Sequence, residues 1–323
     1  MQRNPRVSIG LPVYNGARHL RAAIDSFLGQ TFADFELIIS DNASTDETEG
    51  ICRAYASRDR RILYSRLDRN IGAAGNFNRA FHQSRGEYFK WAAHDDVCLP
   101  AFLEHCVAAL DAGPRVVLSM TKTTLIDADG GVIGDQDDNL EFRHPRAAVR
   151  MAQFATRILA SGCHSAFGLI RADTLRRTRL IDRFVGADIV LLGELAVEGE
   201  LWELPERLFR SRIHGGCSHQ LGSADAYAQW FDPSARRTFA GFVRTRLLVE
   251  QLRSISKSSL SPVEKAATAA AFSAAWTVRQ ARVDGGAAKR RLFELFRERF
   301  ATRRPGTGVS HVAANPSVIS AHE

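Results

Sequence analysis

The sequence has few cysteines, and their spacing suits neither a zinc site nor a disulfide framework. Its 323 residues include five cysteines, and no CxxC pair occurs among them. They are Cys52, Cys98, Cys106, Cys163 and Cys217. This usage indicates buried thiols in a reducing compartment. Because the chain is 45% hydrophobic, it can bury a sizeable core without covalent cross-links.

Long hydrophobic runs are also missing. No uninterrupted apolar stretch reaches the roughly 18 residues that read as a transmembrane helix. The first twelve residues lack the apolar segment of a secretory signal, and the chain from Arg6 onward already alternates as a strand does. We therefore expect a cytoplasmic protein.

Two phosphate-binding signatures are absent as well. The turn after the first predicted strand, residues 12–18, contains one glycine, which argues against the GxGxxG turn of a Rossmann dinucleotide enzyme. No GxxxxGK[ST] sequence is present, which argues against P-loop chemistry. No recognisable motif accompanies the positive charge of the chain, so we expect no nucleic-acid partner.

Positive charge is concentrated near the C-terminus. Residues 236–304 contain 16 Lys or Arg against five Asp or Glu, in a chain of net charge +7. Hydrophobic residues interleave with this charge at Phe239, Phe242, Leu247, Leu248, Phe272, Trp276, Leu292, Phe293, Leu295 and Phe296. Basic amphipathic helices of this kind either lie on an anionic membrane surface or pack as a helical subdomain with solvated arginines. Both interpretations stay open.

Hydrophobic periodicity predicts strands that alternate with helices. The predicted strands are 7–13, 35–40, 62–65, 88–92 and 116–121, with helices near 20–28, 46–57, 72–84 and 100–112. This order predicts an α/β fold with a mainly parallel sheet and helices on both faces. We also predict about three C-terminal helices, broken at 254–262 and at Gly285-Gly286.

Polar side chains follow three of the predicted strands, at Tyr14-Asn15, at Asp41-Asn42 and at His94-Asp95-Asp96. Ligands bind beyond the carboxyl ends of strands in open α/β sheets, so the three clusters can converge on one site. Two adjacent carboxylates repel each other, and a divalent cation that bridges them to phosphate oxygens would relieve that repulsion. A helix N-cap beside a solvated carboxylate is the alternative for Asp95-Asp96.

The first two clusters suit a nucleoside. Tyr14 could stack on a base, and Asp41 could accept a base N–H or a ribose hydroxyl. A core-edge tyrosine is the alternative for Tyr14. For the second cluster the alternative is a capping box, formed by Ser44 or Thr45 with Glu47 or Thr48, and the two interpretations are compatible.

Four segments in this order resemble the N-terminal half of family 2 glycosyltransferases, which have the GT-A fold. They are Pro12-Val13-Tyr14-Asn15, Asp41-Asn42-Ala43-Ser44-Thr45-Asp46, Arg69-Asn70-Ile71-Gly72 with Asn76 or Asn78, and His94-Asp95-Asp96. The likeness is strong to about Asp138 and thins beyond it. It implies a nucleotide-sugar site that includes Pro12, Tyr14, Asn15, Asp41, Asn42, Arg69, Asn70, Gly72, Asn76, His94, Asp95 and Arg212.

The resemblance also implies Mg²⁺ or Mn²⁺ held by Asp95, Asp96 and His214. At this metal site the chain differs from the family pattern. The family often has D-x-D-D, whereas this chain has Ala93-His94-Asp95-Asp96 and so lacks the first Asp. Which of the two carboxylates ligates the metal and which contacts ribose stays open, and so does a metal-independent variant.

In the second half, Gly186-Ala187-Asp188 resembles the family's G-E-D segment, which opens a helix and carries the catalytic base. Asp188 is the candidate base, although Ala187 replaces the usual Glu, and a helix N-cap is the alternative. Arg212 and His214 resemble an R-x-H segment that reaches back to the metal or the diphosphate, with His219 as a less favoured substitute.

The resemblance implies an inverting transferase of hexosyl or deoxyhexosyl groups from a nucleoside-diphosphate sugar. The base of the donor stays open, because Tyr14 and Asp41 could serve uracil or thymine alike. The implied acceptor is a hydroxyl of a cell-envelope glycan or glycolipid, with peripheral membrane contact through the basic helices. We expect a catalytic domain at 1–220, divided into a nucleotide-sugar half (1–125) and an acceptor half (126–220). A helical region (221–304) and a disordered tail (305–323) follow.

Two other functions remain as alternatives. A nucleotidyltransferase that makes nucleotide sugars would carry a Gly-rich basic loop directly after the first strand, and residues 12–18 lack it. A non-catalytic scaffold protein could keep the nucleotide pocket without the transfer reaction.

Overall fold

The computed structural model describes residues 4–217, 224–234 and 243–301. The strands are β1 (Val7–Val13), β2 (Phe35–Asp41), β3 (Ile62–Arg66), β4 (Tyr88–Trp91), β5 (Val97–Cys98), β6 (Val116–Ile126), β7 (Val132–Gln136), β8 (Leu169–Arg171) and β9 (Glu200–Arg212). The helices are α1 (Ala17–Leu28), α2 (Thr48–Ala56), α3 (Gly72–His82), α4 (Phe102–Ala112), α5 (Ala147–Arg157), α6 (Ala172–Arg176), α7 (Ala187–Glu198), α8 (Ala224–Phe231), α9 (Val243–Lys257) and α10 (Pro262–Ala301). His219, Phe239, Phe242 and the predicted disordered tail lie outside the described residues.

The strands form one mixed sheet in the order β3-β2-β1-β4-β8-β6-β9-β5, and β7 pairs with β6. Strands β3, β2, β1 and β4 are mutually parallel, so their carboxyl ends share one edge of the sheet. Strand β8 runs antiparallel to β4 and β6, whereas the long strand β9 runs parallel to β6. The predicted α/β architecture is confirmed, and the antiparallel strands β5, β7 and β8 are additions that the periodicity did not indicate.

Two hydrophobic clusters lie among the helices that pack against the sheet. One joins β1 and β2 to α1, α2 and α4, and the other joins β4 and β6 to α3, α5, α7 and the C-terminal helices. Gly10 on β1 shows how closely α3 packs, because a Cβ there would lie 2.7 Å from Phe89 Cζ and 2.9 Å from Ala80 Cβ. Both faces of the parallel strands are therefore covered, as their continuous hydrophobic sequences predict.

The C-terminal helices contribute to the second cluster. Leu247 of α9 and Phe272 and Trp276 of α10 are buried in it, and α9 packs against α7. The burial of these three side chains agrees with the interpretation of the C-terminal region as a packed helical subdomain. No helix among the described residues is long and apolar enough to cross a membrane.

The predicted break at Gly285-Gly286 is wrong, because α10 runs through both glycines without interruption. Each glycine costs a helix only about 1 kcal/mol relative to alanine, and the flanking Ala, Arg and Leu residues favour the helix.

The chain forms two compact units, residues 1–277 and residues 278–323. The domain boundaries expected from the sequence remain predictions.

An ion-pair network joins α7 to α9. Arg179 lies in the loop before α7, and its guanidinium contacts Glu194 Oε1 at 2.7 Å and Glu250 Oε2 at 2.6 Å. Ser254 Oγ donates to Glu194 Oε1 at 2.9 Å. Because Glu194 is buried, its carboxylate depends on these partners.

We expect Arg179→Met to lower the free energy of unfolding by about 1–3 kcal/mol, because it leaves two largely buried carboxylates without a counter-charge. Urea unfolding followed by circular dichroism measures the change. The matched control is Arg253→Met, since Arg253 contacts the same Glu250 at 3.3 Å but is more than half exposed. It should change stability by less than about 0.5 kcal/mol, and equal effects of the two variants would contradict the network's role.

Candidate functional site

The loop after β1 is hydrogen-bonded to the loop after β2. Asn15 has a positive φ of 51°, its N–H donates to Ser44 Oγ at 2.9 Å, and its Oδ1 accepts the N–H of Thr45 at 2.8 Å. Asp46 accepts the N–H of Ala17 at 3.1 Å and that of Thr48 at 3.0 Å. Asp46 therefore orders the start of α2, and the Ser44 or Thr45 capping box is wrong.

This arrangement leaves Tyr14 at the edge of the site, with 41% of its surface exposed. A phenol ring at the carboxyl end of β1 is accessible to a planar ligand. Pro12, by contrast, is buried within β1.

Asp41 at the end of β2 is fully buried. Its Oδ1 accepts the N–H of Ser44 at 2.8 Å, and its Oδ2 accepts the hydroxyl of Tyr64 at 2.8 Å. Burial, together with this bond to Asp41, raises the pKa of Tyr64. Arg66 Nε also lies 3.7 Å from Oδ2, so the Asp41 carboxylate is held in place by three partners.

Asn42 shapes the loop that leads into α3. Its Nδ2 donates to Asn70 Oδ1 at 2.9 Å, its Oδ1 accepts the N–H of Ile71 at 2.9 Å, and Asn70 Oδ1 also accepts the N–H of Gly72. Gly72 has a φ of +81°, and a Cβ there would lie 2.5 Å from Pro233 Cδ, so glycine is required. The side chain of Arg69 is exposed beside this loop.

Asn76 points into the fold. Its side chain is buried, its Nδ2 donates to Ser40 O at 2.8 Å, and its Oδ1 accepts the Ser40 hydroxyl at 2.6 Å. Arg79 also donates to Ser40 Oγ. The contacts of Asn76 therefore tie α3 to β2, beneath the loop that the sequence predicts to bind nucleotide.

The Asp95-Asp96 pair follows β4, and β9 brings Arg212 and His214 to it. His214 Nε2 lies 2.9 Å from Asp95 Oδ2. The backbone N–H of Arg212 donates to Asp96 Oδ1 at 2.8 Å, and its Nε donates to Asp95 O at 2.8 Å. The guanidinium further donates to the carbonyl oxygens of Asp127 and Ala128. Arg212 and His214 thus reach the carboxylate pair, and the Arg212 side chain contacts backbone there.

The two carboxylates differ in their electrostatics. Burial acts to raise the pKa of Asp95, but the charge of His94 and the hydrogen bond from His214 outweigh it and hold that pKa below its usual value. Burial and the neighbouring Asp95 charge raise the pKa of Asp96 to about 7. Asp95 is therefore the more readily ionised of the two carboxyl groups.

The donor set around Asp95 fits a divalent cation. Among the described residues, Asp95, His214 and Cys217 each offer a ligand atom within 4.8 Å of the others. His94 lies nearby and packs against Gly16, where a Cβ would meet its ring at 2.5 Å. Asp96 is not part of this three-residue group, and its role as a ligand remains a prediction.

Asp188 lies in the first turn of α7. Gly186 is the N-cap and the helix begins at Ala187, so the N-cap alternative for Asp188 is wrong. Burial and the Asp188 charge raise the pKa of Tyr227 on α8, and burial, Asp188 and Asp138 raise the pKa of Cys163. Asp188 is therefore close enough to Tyr227 and Cys163 for its charge to act on both groups.

Asp138, which no sequence motif marks as a site residue, organises the segment 161–165. Its carboxylate accepts the N–H of Gly162 at 3.0 Å and both the N–H and the hydroxyl of Ser165 at 2.7 Å. His164 lies 3.5 Å from it, and the charge of His164 acts on Asp96 as well. Cys163 and His164 in this segment are thus near enough to Asp188 and Asp96, respectively, for charge effects between them. No local pattern marks Asp138, which stands where the family likeness thins.

Comparisons with known proteins show the family of the chain. Residues 8–178, more than half of the chain, match the model of the family described as Glycosyl transferase family 2. The chain belongs to this family. An uncharacterized glycosyltransferase of Rickettsia prowazekii is 41% identical over 108 residues, which are 33% of this chain and 33% of that protein. The chain thus matches only about a third of the length of this relative.

Solved structures resemble this family 2 chain in fold. S. aureus TarS 1–349 in complex with UDP-GlcNAc has a TM-score of 0.58 at 16% identity, covering 83% of this chain and 71% of that chain. The mannosyltransferase PcManGT of Pyrobaculum calidifontis, in complex with GDP-Man and Mn²⁺, has a TM-score of 0.51 at 17% identity, covering 88% and 76%. The expected GT-A-like fold is thereby confirmed.

We expect Asn76→Ala to lower the free energy of unfolding by about 1–3 kcal/mol, because it leaves the buried Ser40 carbonyl without its side-chain donor. Urea unfolding measures this loss, and nucleotide binding to the folded variant should weaken little. Gln83→Ala, an exposed change at the end of the same helix, serves as the control and should cost less than about 0.5 kcal/mol. Normal stability combined with lost nucleotide binding would instead make Asn76 a ligand contact.

Proposed function

We propose that this family 2 glycosyltransferase moves a hexosyl or deoxyhexosyl group from a nucleoside-diphosphate sugar to an acceptor hydroxyl, with inversion at the anomeric carbon. The observation that carries the proposal is the contact of His214 with Asp95 at the carboxyl edge of the parallel sheet, 2.9 Å apart. Ligands of open α/β sheets bind at this edge. The loops after β1, β2 and β3 border the same edge.

The nucleoside would bind between the exposed Tyr14 ring and the buried Asp41 carboxylate. Tyr14 offers an aromatic face, and Asp41 would serve as the acceptor for a base N–H or a ribose hydroxyl. The relative TarS is described with UDP-GlcNAc and PcManGT with GDP-Man, which supports a nucleotide-sugar donor in this chain. We favour UDP or dTDP as the nucleotide.

Asp95 and His214 would hold a divalent cation, as would Asp96 if its side chain turns toward them. When bound, the cation would offset the negative charge of the leaving diphosphate. PcManGT is described with Mn²⁺, which supports divalent metal use, with Mg²⁺ or Mn²⁺ as the expected ion. Arg212 keeps Asp95 in position through its bond to the Asp95 carbonyl.

Asp188 would act as the general base. A single carboxylate that removes the proton from the acceptor hydroxyl during attack on the anomeric carbon leads to inversion. Asp188 lies in the first turn of α7, and its charge acts on Tyr227 and Cys163.

The acceptor would be a cell-envelope glycan or glycolipid. Contact with a membrane surface through the basic C-terminal helices is part of the same proposal.

We expect Asp95→Asn to weaken Mn²⁺-dependent binding of UDP or dTDP by at least about 10-fold, because the cation loses its anionic ligand. Isothermal titration calorimetry with and without Mn²⁺ measures the effect. Asp173→Asn is the control, since the Asp173 side chain is 86% exposed on α6. Unchanged metal-dependent binding in Asp95→Asn would remove Asp95 from the metal site.

We expect Asp188→Asn to lower kcat by about 10²–10⁴-fold while donor binding is retained, because an amide cannot accept the proton. Asp182→Asn, in the loop that precedes α7, should keep normal kcat. The rate is measured as nucleoside diphosphate released from a panel of nucleotide sugars. Normal turnover by Asp188→Asn would exclude this residue as the base.

The configuration of the product tests the stereochemistry separately. Nuclear magnetic resonance of the transferred sugar should show the anomeric configuration opposite to that of the donor. Retention of the donor's anomeric configuration would contradict the single-base mechanism.

Two further outcomes would favour the alternative functions. Formation of a nucleotide sugar from sugar phosphate and a nucleoside triphosphate would favour the nucleotidyltransferase. Absence of turnover with bound donor would favour the non-catalytic scaffold protein.

A further inference from the structure

Helix α8 touches two parts of the candidate site. Its C-terminal end packs against α3, and a Cβ on Gly72 would lie 2.7 Å from Phe231 O and 2.5 Å from Pro233 Cδ. Tyr227, one turn earlier on α8, is close enough to Asp188 for the charge of Asp188 to act on its phenol. The helix therefore borders the loop predicted to bind the nucleotide and lies beside the candidate base.

Three aromatic side chains form a cluster on this helix. The ring centroid of Tyr227 lies 5.6 Å from that of Trp230 and 6.3 Å from that of Phe231, and the last two centroids are 6.1 Å apart. Phe231 is buried in the same hydrophobic cluster as Ala187 of α7, whereas Trp230 is exposed. Phe231 thus anchors the group in the core, and the indole of Trp230 is accessible from solvent.

Exposed aromatic rings are rare in this protein. Among the side chains that the structure describes, the large aromatic groups that are exposed are Tyr14, at 41%, and Trp230, at 38%. The proposed function uses the Tyr14 ring for the nucleoside. The Trp230 ring, beside Asp188 through Tyr227, has no part in that proposal.

The surroundings of Trp230 suit a sugar ring better than a protein or lipid surface. Interfaces with proteins and membranes use contiguous apolar patches of more than a few hundred Å², whereas the exposed chain neighbours of Trp230 include the polar Gln229 and Ser234. A pyranose has a face of C–H groups and a rim of hydroxyls. The C–H groups pack on the electron-rich face of an indole, and amide and hydroxyl groups beside it bond to the rim.

We propose that Trp230 is the stacking platform for the acceptor, that this acceptor is a saccharide which offers one face of a pyranose ring, and that Tyr227 supports the indole. The inference rests on the proposed function and names the chemical class of its acceptor. Stacking fixes the plane of the sugar, so that a hydroxyl of its rim is held toward Asp188. Trp230 touches the substrate and takes no part in the proton transfer.

The first experiment measures saccharide binding to the full chain without nucleotide, by saturation-transfer nuclear magnetic resonance. The probes are the methyl glycosides of glucose, galactose, mannose and N-acetylglucosamine, with mannitol as an open-chain polyol that has no ring face. At least one glycoside should receive saturation in the protons of one ring face, and mannitol should receive none. Absence of transfer to every glycoside, or equal transfer to mannitol, would overturn the proposal.

Two substitutions separate the flat ring of Trp230 from its apolar area. Trp230→Leu should weaken glycoside binding by at least about threefold, because leucine is apolar but has no π face, and Trp230→Phe should keep most of the affinity. Val249→Ala is the matched control, since it shortens an apolar side chain on α9 that is 52% exposed. Thermal unfolding confirms that each variant is folded. Wild-type affinity in Trp230→Leu would refute the platform.

A membrane contact is the other use of an exposed indole. If the wild-type chain sediments with anionic phospholipid vesicles, Trp230→Leu abolishes that sedimentation and glycoside binding is unchanged, Trp230 is a membrane contact and the proposal fails. Under the proposal, Trp230→Leu sediments as the wild-type chain does.

The second experiment measures transfer from the nucleotide sugar found with the donor panel to the glycoside that binds best. Trp230→Leu should raise the KM for the glycoside by at least about threefold and change the KM for the donor by less than about twofold, because the indole contacts only the acceptor. A raised KM for the donor alone would place the indole at the donor sugar and contradict the assignment.

The outcomes separate this inference from the proposed function. If glycosides bind through Trp230 and no nucleotide sugar is turned over, the saccharide site stands and the transferase proposal fails. If nucleotide sugars are turned over and Trp230→Leu binds and transfers as the wild-type chain does, the platform is refuted and the transferase proposal stands.

Discussion

Arg212 joins three segments that are far apart in the chain, and the geometry of the site depends on its hydrogen bonds. Its backbone N–H binds the Asp96 carboxylate, and its guanidinium binds the carbonyl oxygens of Asp95 and Asp127. Because Arg212 is buried, these bonds are strong, and losing them would leave buried carbonyl groups unpaired. The exit of β4, the β6–β7 turn and the end of β9 therefore keep fixed positions relative to one another.

The same bonds give two adjacent carboxylates different environments. Asp96 is turned toward the Arg212 backbone, whereas Asp95 faces His214. The pKa values of the two groups shift in opposite directions, that of Asp96 upward and that of Asp95 downward. This chain has Ala93 where the family pattern often has an acidic residue, and the two carboxylates that follow have different partners. Asp95 is the one that is open to a ligand.

Sequence patterns predicted the parallel half of the sheet well, because strands buried on both faces give continuous apolar runs bounded by polar residues. They failed where local signals are weak or overridden. Strand β8 has three residues and depends on its pairing with β4 and β6, and α10 continues through Gly285-Gly286. Family motifs named Asn76, but only the packing of α3 on β2 shows that its side chain points inward. Cys217 approaches Asp95 because β9 pairs with β5 and β6, and such long-range register leaves no trace in local sequence.

Lys90 adds a consequence for the electrical balance of the site. Its side chain is fully buried on β4, its ammonium lies over the rings of Phe27, Phe102 and Phe209, and it donates to the Phe167 carbonyl. Together with Arg212, it sets two cationic side chains against the two acidic side chains of the Asp95-Asp96 pair. The charge of Lys90 acts on the Asp96 carboxyl and opposes the rise in its pKa that burial and Asp95 cause. A fixed ammonium inside the sheet therefore offsets part of the negative charge of the pair before any cation binds.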